Sequence, residues 1–237
     1  MKTSLDSIRN INLYQKKAGY RFTIDSVLVA DFVRKLKPHN IADIGAGNGV
    51  IGILLAKKFT ESRVSLIEIQ KGLYELCKKN IAINGLGDRV SAYNLDAAEI
   101  DGLNPFTPSS FDVIVSNPPF RKQRTGRISP YDEKAVARHE IRMDLDRLMY
   151  ATDYLLRPRG NMYIIYHPER TADLFEKMRD VHIEPKRARF IHPDINTESR
   201  MVLVEGIKTA RASIKIEKPL FIYNSNEYTQ EVRDILG

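Results

Sequence analysis

The chain of 237 residues contains a single cysteine, Cys77. No disulfide can close within it, and a cysteine-based metal site is not expected. Cys77 falls in an apparent helix, Leu73 to Lys79, where it fits as a small buried filler. Such sparing thiol use suits a reducing, cytoplasmic compartment. Long apolar runs are also missing: none approaches the roughly 20 residues that span a bilayer, so no membrane association is expected. Met1 to Asn10 has no apolar core of the kind that marks a secretory signal. The histidines show no metal-ligand spacing, so no metal is expected. Internal repeats and low-complexity tracts do not stand out. Neither a heptad pattern nor a large apolar face is evident, which reads as a monomer.

What is there is ordinary in amount and unusual in placement. An apolar fraction of 43% is enough to bury a core. The length suits one domain, 1–237, or one domain with a small appendage. The formal charge of +7 favours a polyanionic partner, because each phosphate neutralised releases counterions. The alternative is a charge excess that serves only solubility.

From residue 41 the chain alternates short apolar runs with helical patterns. Strands are expected at 41–44, 64–67, 90–95, 111–116 and 161–166, with closing strands at 187–191 and 201–207. Helices are expected at 50–58, 71–84, 145–156 and 168–180. Gly85 and Pro158 are read as stops for the second and third of these. Ahead of them lie a short apolar alternation at Ile8, Ile11 and Leu13, read as a strand or hairpin, and a helix through Val27–Val33. Thr23 or Asp25 is the candidate cap of that helix, and Pro38 its end. This alternation indicates an α/β domain built on a mostly parallel sheet with helices on both faces. The one long irregular connection, 120–143, holds Arg121, Lys122, Arg124 and Arg127. It is a candidate phosphate-binding substrate loop, or else a solvated connection. Lys186, Arg187 and Arg189 form a second candidate patch.

The run Phe111–Ser116 leads straight into Asn117-Pro118-Pro119-Phe120. Two prolines stop the ladder, and Asn117, preceding one of them, is pushed towards extended backbone. The result is a stiff tip at the carboxyl end of a strand, where open α/β sheets bind ligands. It presents a side-chain amide, a carbonyl and an aromatic ring, which are parts for gripping a flat base by its exocyclic amine. A proline-stiffened turn with a core phenylalanine is the plain alternative.

Asp43-Ile44-Gly45-Ala46-Gly47-Asn48-Gly49 joins the first of the alternating strands to its helix. A dinucleotide fingerprint would want its third glycine at position 50, which is Val50. Asp43 would repel a pyrophosphate but can receive an amino-acid ammonium, directly or through water. S-adenosylmethionine carries that ammonium and no phosphate. Glu68, about twenty residues on, stands where a doubly wound fold puts the acid that bonds ribose hydroxyls. Asp96, after the third of these strands, can accept from an adenine amino group. Each has an ordinary alternative: a solvated strand end for Glu68, and a turn cap for Asp96. Their weight lies in Asp43, Glu68, Asp96 and Asn117 ending four successive parallel strands on one edge.

These motifs resemble the class I S-adenosylmethionine-dependent methyltransferases. Asp43–Gly49 matches their first motif, and Asn117–Phe120 that of the branch acting on exocyclic or amide nitrogens. Gly19–Ala30, Ala137–Glu140, Glu184–Arg187, Pro219–Tyr223 and Glu227–Thr229 are similar to segments of the tRNA1(Val) adenine N6-methyltransferase family. The resemblance implies a Rossmann-like sheet of seven strands, the last antiparallel. It also implies that the segment 1–38, around Tyr20, Phe22 and Asp25, covers the cofactor. Gly45 and Gly47 would then lie against S-adenosylmethionine with Asp43, Glu68, Asp96 and Asn117. The implied substrate is an adenine just 3′ of a tRNA anticodon.

The adenine amino lone pair is delocalised into the ring, and two acceptors off the ring plane favour the tetrahedral geometry that frees it. The Asn117 side-chain oxygen and the Pro118 carbonyl suit that role, with Phe120 stacking on the base. His139 and Glu140 are either a proton relay or structural. A protein glutamine N5-methyltransferase would use the same acceptors. A non-catalytic RNA-binding module on this fold is the third reading.

Overall fold

The structure is a computed structural model that describes residues 3–16, 23–34, 37–100, 105–118 and 145–237. The expected loop 120–143, with Phe120, Arg121, Lys122, Arg124, Arg127, His139 and Glu140, lies outside the described residues. So do Tyr20 and Phe22.

The chain opens with an antiparallel hairpin, β1 (Thr3–Ile8) and β2 (Ile11–Lys16). Helix α1 (Ile24–Phe32) follows. Then come β3 (Asn40–Ile44), α2 (Val50–Lys58), β4 (Arg63–Ile67), α3 (Lys71–Ile83) and β5 (Val90–Tyr93). Next are β6 (Phe111–Ser116), α4 (Leu145–Leu155), β7 (Leu156–Tyr166), α5 (Thr171–Asp180), β8 (Ile183–His192) and β9 (Met201–Lys208). Four two-residue strands close the chain with a short helix: β10 (Lys215–Ile216), β11 (Leu220–Phe221), β12 (Tyr223–Asn224), β13 (Glu227–Tyr228) and α6 (Gln230–Leu236).

The main sheet runs β10-β8-β9-β7-β6-β3-β4-β5, with β11 also on β8. β3 pairs in parallel with β4 and β6, β4 with β5, and β6 with β7, whereas β9 is antiparallel to both β7 and β8. Strand order reverses between β3 and β6, which opens a crevice at their carboxyl ends. Among the described residues the sheet has nine strands where seven were expected. The extra two are β10 and β11, which extend the β8 edge by two residues each. β9, the last of the other seven, is the antiparallel strand.

Side-chain alternation divides the core between the two faces. Val113 and Val115 of β6 join a cluster with Ile11, Leu13, α1, α2 and α3. Ile114, one residue out of phase, joins Ala42, Ile44 and the apolar stripes of α4 and α5 on the other face. Since every residue of β6 is buried, it lacks the polar face of a half-exposed strand. Helix α2 is apolar almost all round, and Val50 to Ala56 are all buried.

Several local expectations change. Thr23 is the N-cap of α1, but its hydroxyl donates to Asp25 Oδ2 at 2.8 Å instead of receiving a helix N–H. The helix ends at Phe32, well before Pro38, because cations from elsewhere take its last carbonyls. Lys58 Nζ donates to Ala30, Asp31 and Val33, and Arg187 Nη2 to Phe32. Pro158 does not stop α4; it lies inside β7, which starts at once after the helix. There the β6–β7 register shifts between Phe111 and Val113, and an irregular stretch of ladder tolerates a residue with no N–H. Gly85 does close α3: its φ is 64°, and the Leu86 and Gly85 N–H groups return to Ile81 and Ala82.

Candidate active site

Four parallel strands bring their carboxyl ends to one edge in the order β6-β3-β4-β5. Asn117 follows β6, Asp43 lies in the last turn of β3, Glu68 follows β4, and Asp96 stands three residues beyond β5. The chain between β3 and α2 is bent by three glycines in the left-handed region: Gly45 at φ 74°, Gly47 at 61° and Gly49 at 86°. A side chain is strained at such angles. At Gly49 it would also meet Leu66 Cδ1 at 2.9 Å. The loop is fastened to β4, with the Gly45 and Ala46 N–H groups both donating to the Ile67 carbonyl.

Glu68 is buried and already committed to this loop. Its Oε2 accepts the Gly47 N–H at 2.8 Å, and its Oε1 accepts the Gln70 N–H at 2.8 Å. A carboxylate therefore fills the position that a phosphate would take in a pyrophosphate-binding loop, which agrees with the missing third glycine.

Asp43 points inward and is fully buried. Its Oδ2 accepts the Gly52 N–H at 2.9 Å, which fixes the first turn of α2 to the tip of β3. Its Oδ1 has no partner among the described residues. Burial pushes this carboxyl up to about 7; the Gly52 bond opposes the rise and the charge of Glu68 adds to it. Asn48, also buried, leaves both side-chain amide atoms without a partner among the described residues. Asp96 takes its ordinary alternative: Oδ1 accepts the Ala98 N–H at 2.9 Å and caps the short turn Ala97–Glu99.

Asn117 is half-buried and Pro118 buried. The Asn117 amide nitrogen faces the Ser26 hydroxyl of α1 at 3.5 Å. The preceding residue, Ser116, donates its hydroxyl to the Ile44 carbonyl at 2.8 Å, so a side chain ties the tips of β6 and β3. Asp25, in the first turn of α1, is occupied by the Thr23 hydroxyl.

Four supporting residues escape a reading by motif. Gly52 is one: a Cβ there would lie 2.1 Å from Leu66 Cδ2 and 3.3 Å from Asp43 Oδ2. Asn94 donates to the Glu68 and Ile69 carbonyls, both at 2.8 Å. Ser26 is the third. The fourth, Asn80, sits on the buried stripe of α3 with Leu73, Leu76, Cys77 and Ile81, and that position was its signal in the sequence. Its amide donates to Asn48 O at 2.8 Å and to Tyr14 O, and accepts the Tyr14 N–H at 2.7 Å. Asn84, one turn on, treats the backbone of Asn12 alike. Two amides thus pair with β2 as a neighbouring strand would, and they clamp the hairpin beside the glycine loop.

The second basic patch is engaged within the chain. Arg187 is buried, with Nε 2.6 Å from Glu205 and its guanidinium over the Phe32 ring. Arg189 is bidentate to Glu231, and Lys186 donates to Arg211 O and Ser213 Oγ. These cations bind the closing segment to β8.

A doubly wound sheet with a glycine-bent loop at its switch point, and acids ending the flanking strands, defines an α/β enzyme that holds a small cofactor at that edge. The chain belongs to the methyltransferase small domain family, whose model matches residues 23–184. It is 30% identical over 178 residues to a tRNA1(Val) (adenine(37)-N6)-methyltransferase from Porphyromonas gingivalis, covering 73% of this chain and 69% of that one. A protein of the same name from Flavobacterium johnsoniae is 24% identical over 96% of this chain and 95% of its own. The fold is similar to that of a "predicted O-methyltransferase" from Agrobacterium tumefaciens, with a TM-score of 0.70 at 20% identity over 89% of this chain and 94% of the other. The protein is a methyltransferase.

Proposed function

We propose that the chain transfers a methyl group to the exocyclic N6 of an adenine in RNA, and that the RNA is a tRNA modified beside its anticodon. The observation that carries this reading is the tip of β6. Asn117 stands half-buried between α1 and the β3 loop, with Pro118 fixing its backbone. The names of the full-length relatives support the same substrate.

The donor is S-adenosylmethionine, which supplies an electrophilic methyl group on a sulfonium. The residues present suit it. The unpaired Oδ1 of Asp43 is a buried acceptor that an ammonium would satisfy, directly or through water. Glu68 would accept from ribose hydroxyls, and Asp96 from an adenine amino group. Gly45 and Gly47 let the backbone come close without a Cβ. Tyr20, Phe22 and Asp25, within the segment 1–38, complete the cover.

With its amide nitrogen facing the Ser26 hydroxyl, Asn117 would offer its amide oxygen to an incoming amine. That oxygen and the Pro118 carbonyl accept hydrogen bonds from the two amino N–H groups and draw the nitrogen towards tetrahedral geometry. Their fixed dipoles then stabilise the positive charge that grows on nitrogen. The extra proton leaves to water afterwards. Phe120 stacks on the base, and Arg121, Lys122, Arg124 and Arg127 of the loop 120–143 grip phosphates. The enzyme works as a cytoplasmic monomer.

The test is incubation with isotopically labelled S-adenosylmethionine and either total RNA or total protein, followed by mass spectrometry of the nucleosides and of the peptides. Label in N6-methyladenosine is the expected result. Label confined to protein glutamine would overturn it, and no transfer to either fraction would favour a binding module.

A further inference from the structure

The edge that carries Asn117 continues beyond the crevice. β7 runs parallel to β6, and β8 shares their direction, since both β7 and β8 are antiparallel to β9. The carboxyl end of β8 therefore lies on the same rim. There the loop after His192 and the hairpin β12–β13 enclose an open cleft of about 500 Å³, lined by Asp194, Ile195, Asn196, Phe221, Tyr223 and Thr229 among others. Its aromatic lining includes Tyr223, whose ring stacks on that of Tyr228 beside the cleft, with centroids 5.2 Å apart and planes 14° apart. Both rings are exposed, at 41% and 39%, and Ile195 opposite is 78% exposed. Two large side chains of the lining left in water, Ile195 and Tyr223, with Tyr228 stacked beside them, are a surface that binding would cover.

The walls are built before any ligand arrives. Ile222 N–H donates to His192 O at 2.9 Å and Tyr223 N–H to Pro193 O at 2.7 Å, which fasten the hairpin to β8. Thr229 Oγ1 donates to Phe221 O at 2.7 Å. In the facing loop, Asp194 Oδ1 accepts the Asn196 N–H and the Thr197 hydroxyl, both at 2.8 Å, and so spends its charge on its own turn. A rigid aromatic platform loses little freedom on binding. Flat rings beside amide and hydroxyl groups suit a nucleobase, which has a π-face and a polar edge.

We propose that this cleft stacks an unpaired base of the same RNA strand that carries the target adenine, with Tyr223 as the platform and Tyr228 behind it. The proposal rests on the RNA reading above. Distance fits it: β8 lies three strand positions from β6, or about 14 Å at about 4.8 Å per strand. At about 3.4 Å per stacked nucleotide, that is about four nucleotides from the target. The cleft would thus set which loops place an adenine at Asn117, because a duplex has no free base at that distance.

The test compares wild type, Tyr223→Ala, Tyr223→Ala/Tyr228→Ala and Tyr223→Phe in binding and methylating a stem-loop RNA. Removing a base–aromatic stack is expected to raise Kd and KM for RNA about 5- to 100-fold. kcat at saturating RNA and the affinity for S-adenosylmethionine stay unchanged, and Tyr223→Phe behaves as wild type. With RNA cut to the target and two flanking nucleotides on each side, the difference between wild type and the alanine variants disappears. If wild type methylates the stem-loop and the alanine variants match it, the cleft proposal is overturned while the RNA reading stands. If wild type neither binds nor methylates RNA, both fall. If the alanine variants lose only methylation of a protein substrate, the cleft belongs to a polypeptide and the proposal is overturned.

Discussion

Asn117 and Asp43 occupy neighbouring strand tips, yet they fail in different ways when changed. In the proposed mechanism Asn117 is a preorganised acceptor, so Asn117→Ala should cut kcat by about a hundredfold or more while the Kd for S-adenosylmethionine, read by calorimetry, stays near wild type. Asp43 is a matter of protons. Its carboxyl titrates at about 7 in the fold against 3.8 unfolded. Between those values the folded chain keeps a proton that the unfolded chain has lost, so stability falls as pH rises from about 4 to about 7 and is level above that. Melting temperature followed across pH 4–8 should show this slope, and Asp43→Asn should flatten it. At this scale the sequence was legible in part. The acids and the amide stood out because acids and amides at strand ends are chemically conspicuous. That Glu68 spends both oxygens on backbone N–H groups, and that Asp43 turns into the core, depends on the path of the glycine loop, which no spacing reveals.

Elements ended where neighbours ended them. α2 and β6 could be bounded from the sequence alone because their limits are set locally, by glycine at one and proline at the other. The end of α1 could not, since Lys58 and Arg187, distant in the chain, donate to its last carbonyls. The entry into β7 through Pro158 was hidden for the same reason: only the register with Phe111 makes room for it. The Asn80–Asn84 clamp on β2 is the element-scale device with the clearest consequence. Asn80→Ala removes both bonds to Tyr14 and the bond to Asn48 O, and leaves buried backbone groups unsatisfied at about 1–3 kcal/mol. Hydrogen exchange at the Tyr14 amide should quicken by more than tenfold, and cofactor affinity should fall while kcat at saturating cofactor is kept. An unchanged exchange rate would remove the clamp from the account.

Across the whole molecule the sheet edge divides at the strand-order reversal. The β3, β4 and β5 tips carry the groups suited to the donor, and in the proposed reading the β6, β7 and β8 tips face the substrate side. The parallel, doubly wound plan was readable from the alternation of patterns, but the role of net charge was not, because a charge count ignores partners. Lys186, Arg187 and Arg189 are taken up internally. Neutralising Lys186 and Arg189 should leave the salt dependence of RNA binding as it is, whereas neutralising Arg121, Lys122, Arg124 and Arg127 should lower its slope by about 0.7 for each phosphate no longer neutralised. Titrations of RNA affinity against salt decide between them. Cys77 gives a way to watch the donor side. Its thiol donates to Gly47 O at 3.2 Å and is buried, which raises its pKa well above the usual value. Because the chain holds no other sulfhydryl, labelling by an aromatic disulfide reagent clocks how often the cradle gapes, and bound S-adenosylmethionine should slow that clock at least tenfold.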